Sequence, residues 1–208
     1  MLRSKLVKVL KMQTTLYLAR HGETLWNAQQ RFQGHLDSEL TALGKQQSQE
    51  LAKLLTPQNI DVIISSPLER ALYTAKICQS KLQKQLTINP QLIERNLGEW
   101  QGQYHNKVKQ HPNYHETFKQ VTNLAIANSE SALSCALRYQ QAILSIAKDN
   151  LQQSILLICH GEALRCLFHL LGCNHQGDAY QLYKNAGFTT LQYHHSTHSL
   201  SLLTNNNQ

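Results

Sequence analysis

Leu18-Ala19-Arg20-His21-Gly22-Glu23-Thr24-Leu25 follows an apolar run, Leu16 to Leu18, and reads as the end of a buried strand where a turn or helix must begin. A strand that delivers Arg-His-Gly to its carboxyl end puts a cation and an imidazole at the rim of a sheet, the place where open α/β sheets bind ligands. One such triplet is a weak signal. A second strand carries the same ending: Ile155-Leu156-Leu157-Ile158-Cys159 runs into His160-Gly161-Glu162-Ala163-Leu164-Arg165. Two buried strands that both end in His-Gly place two imidazoles against one pocket.

Working outward, the chain alternates strands and helices. Leu43 to Leu55 has helical apolar spacing, with Thr41 as a candidate N-cap. Asp61 to Ser65 reads as a second strand, and Ser66-Pro67 as the cap and first position of a helix reaching about Cys78. A short third strand, Leu86 to Ile88, precedes a polar, His-rich and irregular stretch, 101–128, that reads as a helical excursion over the pocket. Glu130 to Ala147 is a helix, Ile155 to Cys159 the fourth strand, and a further helix follows to Leu171. Thr189 to Tyr193 and Leu200 to Leu203 form a hairpin at a sheet edge. The order predicts an α/β three-layer sandwich: a mostly parallel central sheet, helices on both faces and a short helical lid. A single domain over 12–204 is expected.

Composition excludes several classes. The 208 residues are 41% hydrophobic, enough for a buried core and against disorder. No apolar stretch reaches the roughly 18 residues of a membrane span, so no membrane partner is expected. The net charge of +7 raises nucleic acid as a partner, but Arg3, Lys5, Lys8 and Lys11 supply four of those charges within residues 1–11, which contain no acid. That stretch is expected to be a flexible basic extension rather than a secretory signal. Without basic residues interleaved with aromatics elsewhere, no nucleic-acid role is expected. Five cysteines, odd in number and without a CxxC pair, predict a reducing, cytoplasmic setting with neither disulfides nor structural zinc. The sequence leaves the oligomeric state open.

The remaining motifs add charge and a carboxylate to the two imidazoles. Ser65 to Ala75 places Arg70 on the first turn of a helix leaving the sheet rim, within reach of the pocket of Arg20. Two planar, permanently charged guanidinium groups suit a phosphoryl group, whose charge spreads over several oxygens. Leu92-Ile93-Glu94-Arg95-Asn96-Leu97-Gly98-Glu99-Trp100-Gln101-Gly102 is a loop that can hold one carboxylate at the pocket mouth.

With LARHGETLWN, RFQGHLDSELTALG, SSPLERALYTA, LIERNLGEWQG and ICHGEALR in this order, the chain resembles the histidine phosphatase superfamily, in its phosphoglycerate-mutase-like branch. The resemblance implies His21 as the nucleophile that accepts a phosphoryl group. It implies Arg20, Arg70 and His160 around the phosphoryl oxygens, Asn27 as a neutral phosphate donor, and Gly34 where backbone approaches the ligand. Glu94 is implied as the proton donor, with Glu99, five residues on, as the competing candidate. Arg95 touches substrate in a mutase or is a solvated charge. No metal and no cofactor are needed, because side chains supply the cations. The implied function is metal-independent hydrolysis of small phosphate monoesters through phosphohistidine, with a cofactor-dependent phosphoglycerate mutase and a non-catalytic binding module as alternatives. Lys107, Lys109 and Lys119 are the only basic residues of a short 101–128 region, which favours hydrolysis over a mutase needing cations for a second acidic group.

Other features read as structural. Trp26 and Trp100 are packing residues for the two catalytic loops. His194, His195 and His198, remote from acidic or cysteine ligands, read as solvated rather than metal-binding. His111 and His115 flank Pro112, which breaks any helix there. Asn128-Ser129-Glu130-Ser131 puts a serine where the family commonly has glycine. Glu162 is out of place, because a carboxylate beside a phosphate site repels the ligand unless it turns away or pairs with an arginine such as Arg165.

Overall fold

The computed structural model describes residues 12–173 and 183–203. The basic stretch 1–11 and the terminal Asn205 to Gln208 lie outside the described residues. Six strands form one sheet in the order β3-β2-β4-β1-β5-β6. They are β1 (Gln13–Arg20), β2 (Val62–Ser65), β3 (Gln85–Ile88), β4 (Ser154–Cys159), β5 (Phe188–His194) and β6 (Ser199–Leu203). The first four in spatial order are mutually parallel, while β5 and β6 run antiparallel at one edge as the expected hairpin.

The apolar runs of β1 and β4 are continuous because both faces of the sheet are covered. Leu16 and Leu18 of β1 and Ile155 and Leu157 of β4 face one layer, with helices α5 (Ala132–Asp149) and α6 (Gly161–Leu170). Tyr17, Ala19, Leu156 and Ile158 face the other, with helices α2 (Ala42–Leu55) and α3 (Glu69–Leu82). Among the described residues, no helix is long and apolar enough to cross a membrane.

Register sets the site. Arg20 of β1 lies opposite Cys159 of β4, so the residues after them, His21 and His160, leave the sheet side by side. The His21 N–H then donates to the Cys159 carbonyl at 3.1 Å, fixing the height of both ends.

Three expectations need correction. The helix after β2 starts at Glu69, not at Pro67. Ser66 is drawn to His160 instead of capping that helix, and the first free N–H groups, of Glu69 and Arg70, donate to the Asp37 carboxylate at 2.9 and 3.4 Å. The 101–128 region is only sparsely helical, with one turn, α4 (His105–Val108), and a π-type turn, His115–Lys119. Its order comes from a separate apolar cluster of Phe32, Leu97, Trp100, Val108, Tyr114 and Phe118 rather than from helical periodicity. The C-terminal histidines are not simply solvated. Rings of His194, His195 and His198 hydrogen-bond Gln13, Thr14 and Tyr193 at 3.0, 2.9 and 3.0 Å, tying the hairpin to β1 and to itself. Among the described residues, no group of three or more His, Cys, Asp or Glu side chains is placed to hold a metal ion. Cys78, Cys135, Cys159 and Cys166 are buried thiols, Cys173 is partly buried, and none forms a disulfide.

Candidate active site

His21 is 2% exposed at the end of β1. Its Nδ1 lies 2.7 Å from the Gly22 carbonyl oxygen. A carbonyl only accepts, so Nδ1 carries the proton and the Nε2 lone pair is left available. Around it, the Asn185 amide donates to the His21 carbonyl at 3.0 Å and the Gly22 N–H donates to Thr74 Oγ1 at 3.0 Å. Gly22 and Gly44 matter by close approach: a Cβ on Gly22 would run into the Gly44 carbonyl, and one on Gly44 into that of Glu23. This lets the first turn of α2 press against the loop that carries His21. Burial, then the charges of Arg70 and Arg20, hold the His21 imidazole well below the ordinary value of 6.5, so it is neutral near pH 7.

Arg70 is held from three sides. Its Nη1 donates to the Leu36 carbonyl at 2.8 Å and to Asp37 Oδ1 at 2.6 Å, and Nη2 to the Gly34 carbonyl at 2.7 Å. Its Nε is buried with no partner. Gly34 adopts φ +56°, and its carbonyl is turned onto Arg70, so it sits in the cavity wall while orienting the guanidinium. Arg20 Nη1 donates to the Tyr183 carbonyl at 2.7 Å. Asn27 combines two tasks. Its Oδ1 takes part in a capping box with Thr24 at the start of α1 (Leu25–Ala28) and accepts from Asn185 at 3.2 Å, whereas its Nδ2 is buried in the cavity wall without a partner.

His160 is fully buried, with its ring centroid 5.3 Å from that of His21. Its Nε2 lies 2.6 Å from Ser66 Oγ, and its Nδ1 is buried without a partner. Ser66 Oγ also accepts from the Leu68 N–H at 3.3 Å. When the Ser66 hydroxyl donates to Nε2, the imidazole carries its proton on Nδ1.

Glu94 is 7% exposed and lines the same cavity, while Glu99 is exposed and does not. The Glu94 carboxylate accepts the Arg95 N–H at 2.8 Å and, at the start of α6, those of Ala163 and Glu162 at 2.9 and 3.3 Å. Burial outweighs the Arg70 charge and these donors, with the Glu162 charge adding to burial, so its proton affinity is raised above the ordinary 4.5. Two of the loop's glycines shape it: Gly98 adopts φ +52° against Ala127 and Ser129, and Gly102 φ +77°. The left-handed conformation in the facing 128–131 stretch falls on Asn128 (φ 58°), which leaves Ser129 free of that demand.

Arg95 departs from both readings of it. It is neither solvated nor in the cavity wall but 0% exposed. Its Nε donates to the Glu130 carbonyl at 2.9 Å, and its Nη1 to the Thr117 carbonyl and Glu162 Oε1, each at 2.8 Å. The reason is Glu162, a wall residue whose carboxylate pairs with Arg95 and also takes Arg165 Nε and Nη2 at 2.8 and 2.7 Å. After the opposing cost of burial, the Arg165 and Arg95 guanidinium groups hold Glu162 below the usual carboxylate range.

The structure therefore brings Arg20, His21, Asn27, Gly34, Arg70 and Glu94 to one cavity of about 340 Å³ counted to its open mouth, with His160 packed behind His21. Sequence reasoning passed over Asp37, Asn185 and Thr74, which position Arg70, Asn27 and Gly22. Asp37 and Thr74 lie within the family-matching stretches without an assigned role, and Asn185 carried no local signal.

Known proteins give the same picture. Residues 16–206 match the description of the histidine phosphatase superfamily (branch 1). The chain is 33% identical over 186 residues to a probable phosphoglycerate mutase, GpmB, of Yersinia pestis, covering 87% of this chain and 86% of that protein. A mycobacterial glucosyl-3-phosphoglycerate phosphatase solved with VO3 superposes with a TM-score of 0.77 at 26% identity, over 93% of this chain and 99% of that one. A phosphoserine phosphatase from Entamoeba histolytica, solved with 3-phosphoglyceric acid, gives 0.73 at 28% identity over 94% and 98%.

Proposed function

Since this chain belongs to the histidine phosphatase superfamily, a family of phosphatases and mutases, we propose that it is a phosphatase that hydrolyses small phosphate monoesters through a phosphohistidine on His21. One observation carries the reading. Two buried donors in the cavity wall, Asn27 Nδ2 and Arg70 Nε, lack protein partners and share that wall with a neutral imidazole, His21, that has a free Nε2, while His160 Nδ1, on the ring packed behind His21, is likewise unpartnered. Each unsatisfied buried donor costs about 1–3 kcal/mol, a cost that a multiply charged oxyanion in the cavity removes.

In the first step, His21 Nε2 attacks phosphorus and the P–O ester bond breaks. Glu94 gives its proton to the departing alkoxide, which leaves as the alcohol. Arg20, Arg70, Asn27 and His160 hold the three equatorial oxygens as charge redistributes, the main source of rate in phosphoryl transfer. In the second step, the Glu94 carboxylate takes a proton from water as its oxygen attacks phosphorus. The P–N bond breaks, the electron pair returns to Nε2, and inorganic phosphate leaves. Raised proton affinity suits Glu94 to the first step, and its cavity position suits it to the second.

Hydrolysis is preferred to mutase action because, among the described residues, Arg20 and Arg70 are the cations in the cavity wall, and the phosphoryl group engages both. The mutase reading is favoured by the name of the Yersinia pestis relative. Rapid quenching with labelled substrate should trap acid-labile label on His21, and product analysis with 3-phosphoglycerate, with and without 2,3-bisphosphoglycerate, separates the two activities. Isomerisation outpacing phosphate release would make it a mutase. Label on serine or aspartate would overturn the nucleophile. Activity should also survive EDTA, and a large loss would show that a metal balances the phosphoryl charge.

A further inference from the structure

Glu162 places a carboxylate in the wall of a cavity otherwise equipped for anions, and the mechanism above does not use it. It is 4% exposed and fully engaged, with Oε1 on Arg95 Nη1 and Arg165 Nη2 and Oε2 on Arg165 Nε. Backbone carbonyls complete the arrangement: Glu130 and Thr117 take Arg95 Nε and Nη1, and Gln120 takes Arg165 Nη2 at 3.3 Å. Two permanent cations thus stand directly behind the wall: Arg95 Nε and Nη1 and Arg165 Nε and Nη2 are turned onto protein, and Arg95 Nη2 is buried without a partner on a residue that is 0% exposed and outside the wall. Among the described residues, the wall offers no cation beyond Arg20 and Arg70, which the phosphoryl group engages: Gln33 is neutral, Phe32, Leu97 and Phe118 are apolar, and the lid's Lys107 and Lys109 are exposed and lie outside it. Residues 174–182, outside the described set, contain no lysine or arginine.

Resting on the reading of this cavity as a phosphoryl site, we infer that Glu162 is a specificity-determining residue: by sequestering Arg95 and Arg165 it bars substrates with a second anionic group beside the phosphoryl, leaving esters of uncharged alcohols. A second carboxylate or phosphate in the cavity meets the fixed negative charge of Glu162 and apolar side chains, and it has no guanidinium to receive it. Selectivity arises from the unfavourable contact as much as from the lack of a favourable one.

The test compares glycerol 3-phosphate with 3-phosphoglycerate, which share a three-carbon skeleton and differ by a carboxylate. In the wild type, glycerol 3-phosphate should have the higher kcat/KM by about tenfold or more, the scale of one charge–charge interaction over a few ångström when water at the open mouth screens it. 3-Phosphoglycerate should also be the poorer competitor against p-nitrophenyl phosphate, a measurement needing no variant. Glu162→Gln keeps the shape and one acceptor but releases charge on Arg95 and Arg165. It should narrow the ratio about tenfold, chiefly through KM for 3-phosphoglycerate. Adding Arg95→Met to Glu162→Gln should remove most of that gain. Because Glu162 also faces Glu94, any change in proton donation affects both esters and cancels in the ratio. Equal wild-type competition by the two esters, or a ratio that Glu162→Gln leaves unchanged, overturns the inference. Absence of label on His21 in the wild type overturns the phosphoryl site itself, whereas label on His21 with equal use of both esters overturns only the role of Glu162.

Discussion

The two strand ends at the centre of the sheet carry the same tripeptide, His21-Gly22-Glu23 after β1 and His160-Gly161-Glu162 after β4, side by side in register. Their chemistry is opposite. His21 spends Nδ1 on the Gly22 carbonyl and keeps Nε2, whereas His160 spends Nε2 on Ser66 and keeps Nδ1. Glu23 stays partly exposed and accepts from Thr41 Oγ1 at 2.8 Å beside the start of α2, while Glu162 is buried between two arginines. The divergence begins with the next residues. After β1 the chain loops outward for four residues before α1, but after β4 the helix starts at Gly161, which turns Glu162 inward on its first turn. Identical local sequence therefore fixes where the side chains start, and the following segment decides what they can do.

The largest effect should separate the histidines. His21→Ala removes the attacking atom, so turnover should fall to background with all monoesters. His160→Ala removes one donor to the developing charge and should cost about 10²–10³ in kcat, the usual effect of losing a single oxyanion donor. Label should still be trapped on His21 in that variant. Loss of label in His160→Ala together with residual turnover in His21→Ala would reverse the assignment of the two ends.

Next in size is the carboxylate contrast within the 94–102 loop. Glu94→Gln should slow hydrolysis of alkyl esters by about 10²–10⁴, because poor leaving groups need a proton as the bond breaks. Phosphorylation of His21 by p-nitrophenyl phosphate should fall much less. Glu99→Gln should stay within a few-fold of wild type for both esters. The reverse pattern would show that the exposed Glu99 reaches the cavity when substrate binds.

What the sequence disclosed follows the same division. Apolar runs, the Thr41 cap and the alternating order announced the sheet and its layers, since those depend on near neighbours. The convergence of Arg20, His21, Arg70 and His160 was legible because strand ends in a parallel sheet share one rim. Hidden features were those set by distant partners. Asp37 caps α3 and holds Arg70 across 33 residues of chain, and Arg95 is drawn inward by Glu162, 67 residues away. The family resemblance offered Arg95 as a substrate contact and its charge as a solvated one, and no local pattern reports a buried partner contributed by another helix.

The glutamates should differ in stability. Glu162→Leu leaves Arg95 and Arg165 buried without their countercharge, a loss of about 3–5 kcal/mol by analogy with broken buried pairs. Glu23→Leu gives up a partly exposed hydrogen bond and should cost about 1 kcal/mol. Denaturant unfolding of both variants measures the gap. The sign with pH follows from the depressed Glu162 value: its contribution is present above the unfolded carboxylate range near 4.5 and is lost as pH falls through the lower folded value. Wild type should thus lose stability on acidification below that range, and Glu162→Leu should lose less. Comparable costs for the two glutamates would mean that the ion pairs behind the cavity add little to folding.

The smallest effect concerns the alkaline limb of activity. Attack needs neutral His21, whose value lies well below 6.5, and protonated Glu94, whose value lies above 4.5. For an alkyl ester, kcat/KM should therefore rise as His21 loses its proton and fall as pH climbs through the Glu94 value, since only the protonated acid assists departure. With p-nitrophenyl phosphate, first-step phosphorylation should lose most of that fall. Glu94 is faced by Arg70 from α3, by Glu162 and the amides at the start of α6, and by the Arg95 N–H. Tyr139 of α5 and Cys159 at the end of β4 also face it, both with proton affinities raised by burial and so uncharged near neutral pH. Glu162 is thus the neighbouring anion that helps Glu94 retain its proton. Glu162→Gln removes that charge, Glu94 ionises more readily, and the alkaline limb should move to lower pH. Glu23→Gln, at the matching position after β1, should leave the limb in place. A limb that moved equally in both variants would mean that overall charge, rather than the contact between Glu162 and Glu94, sets the proton donor.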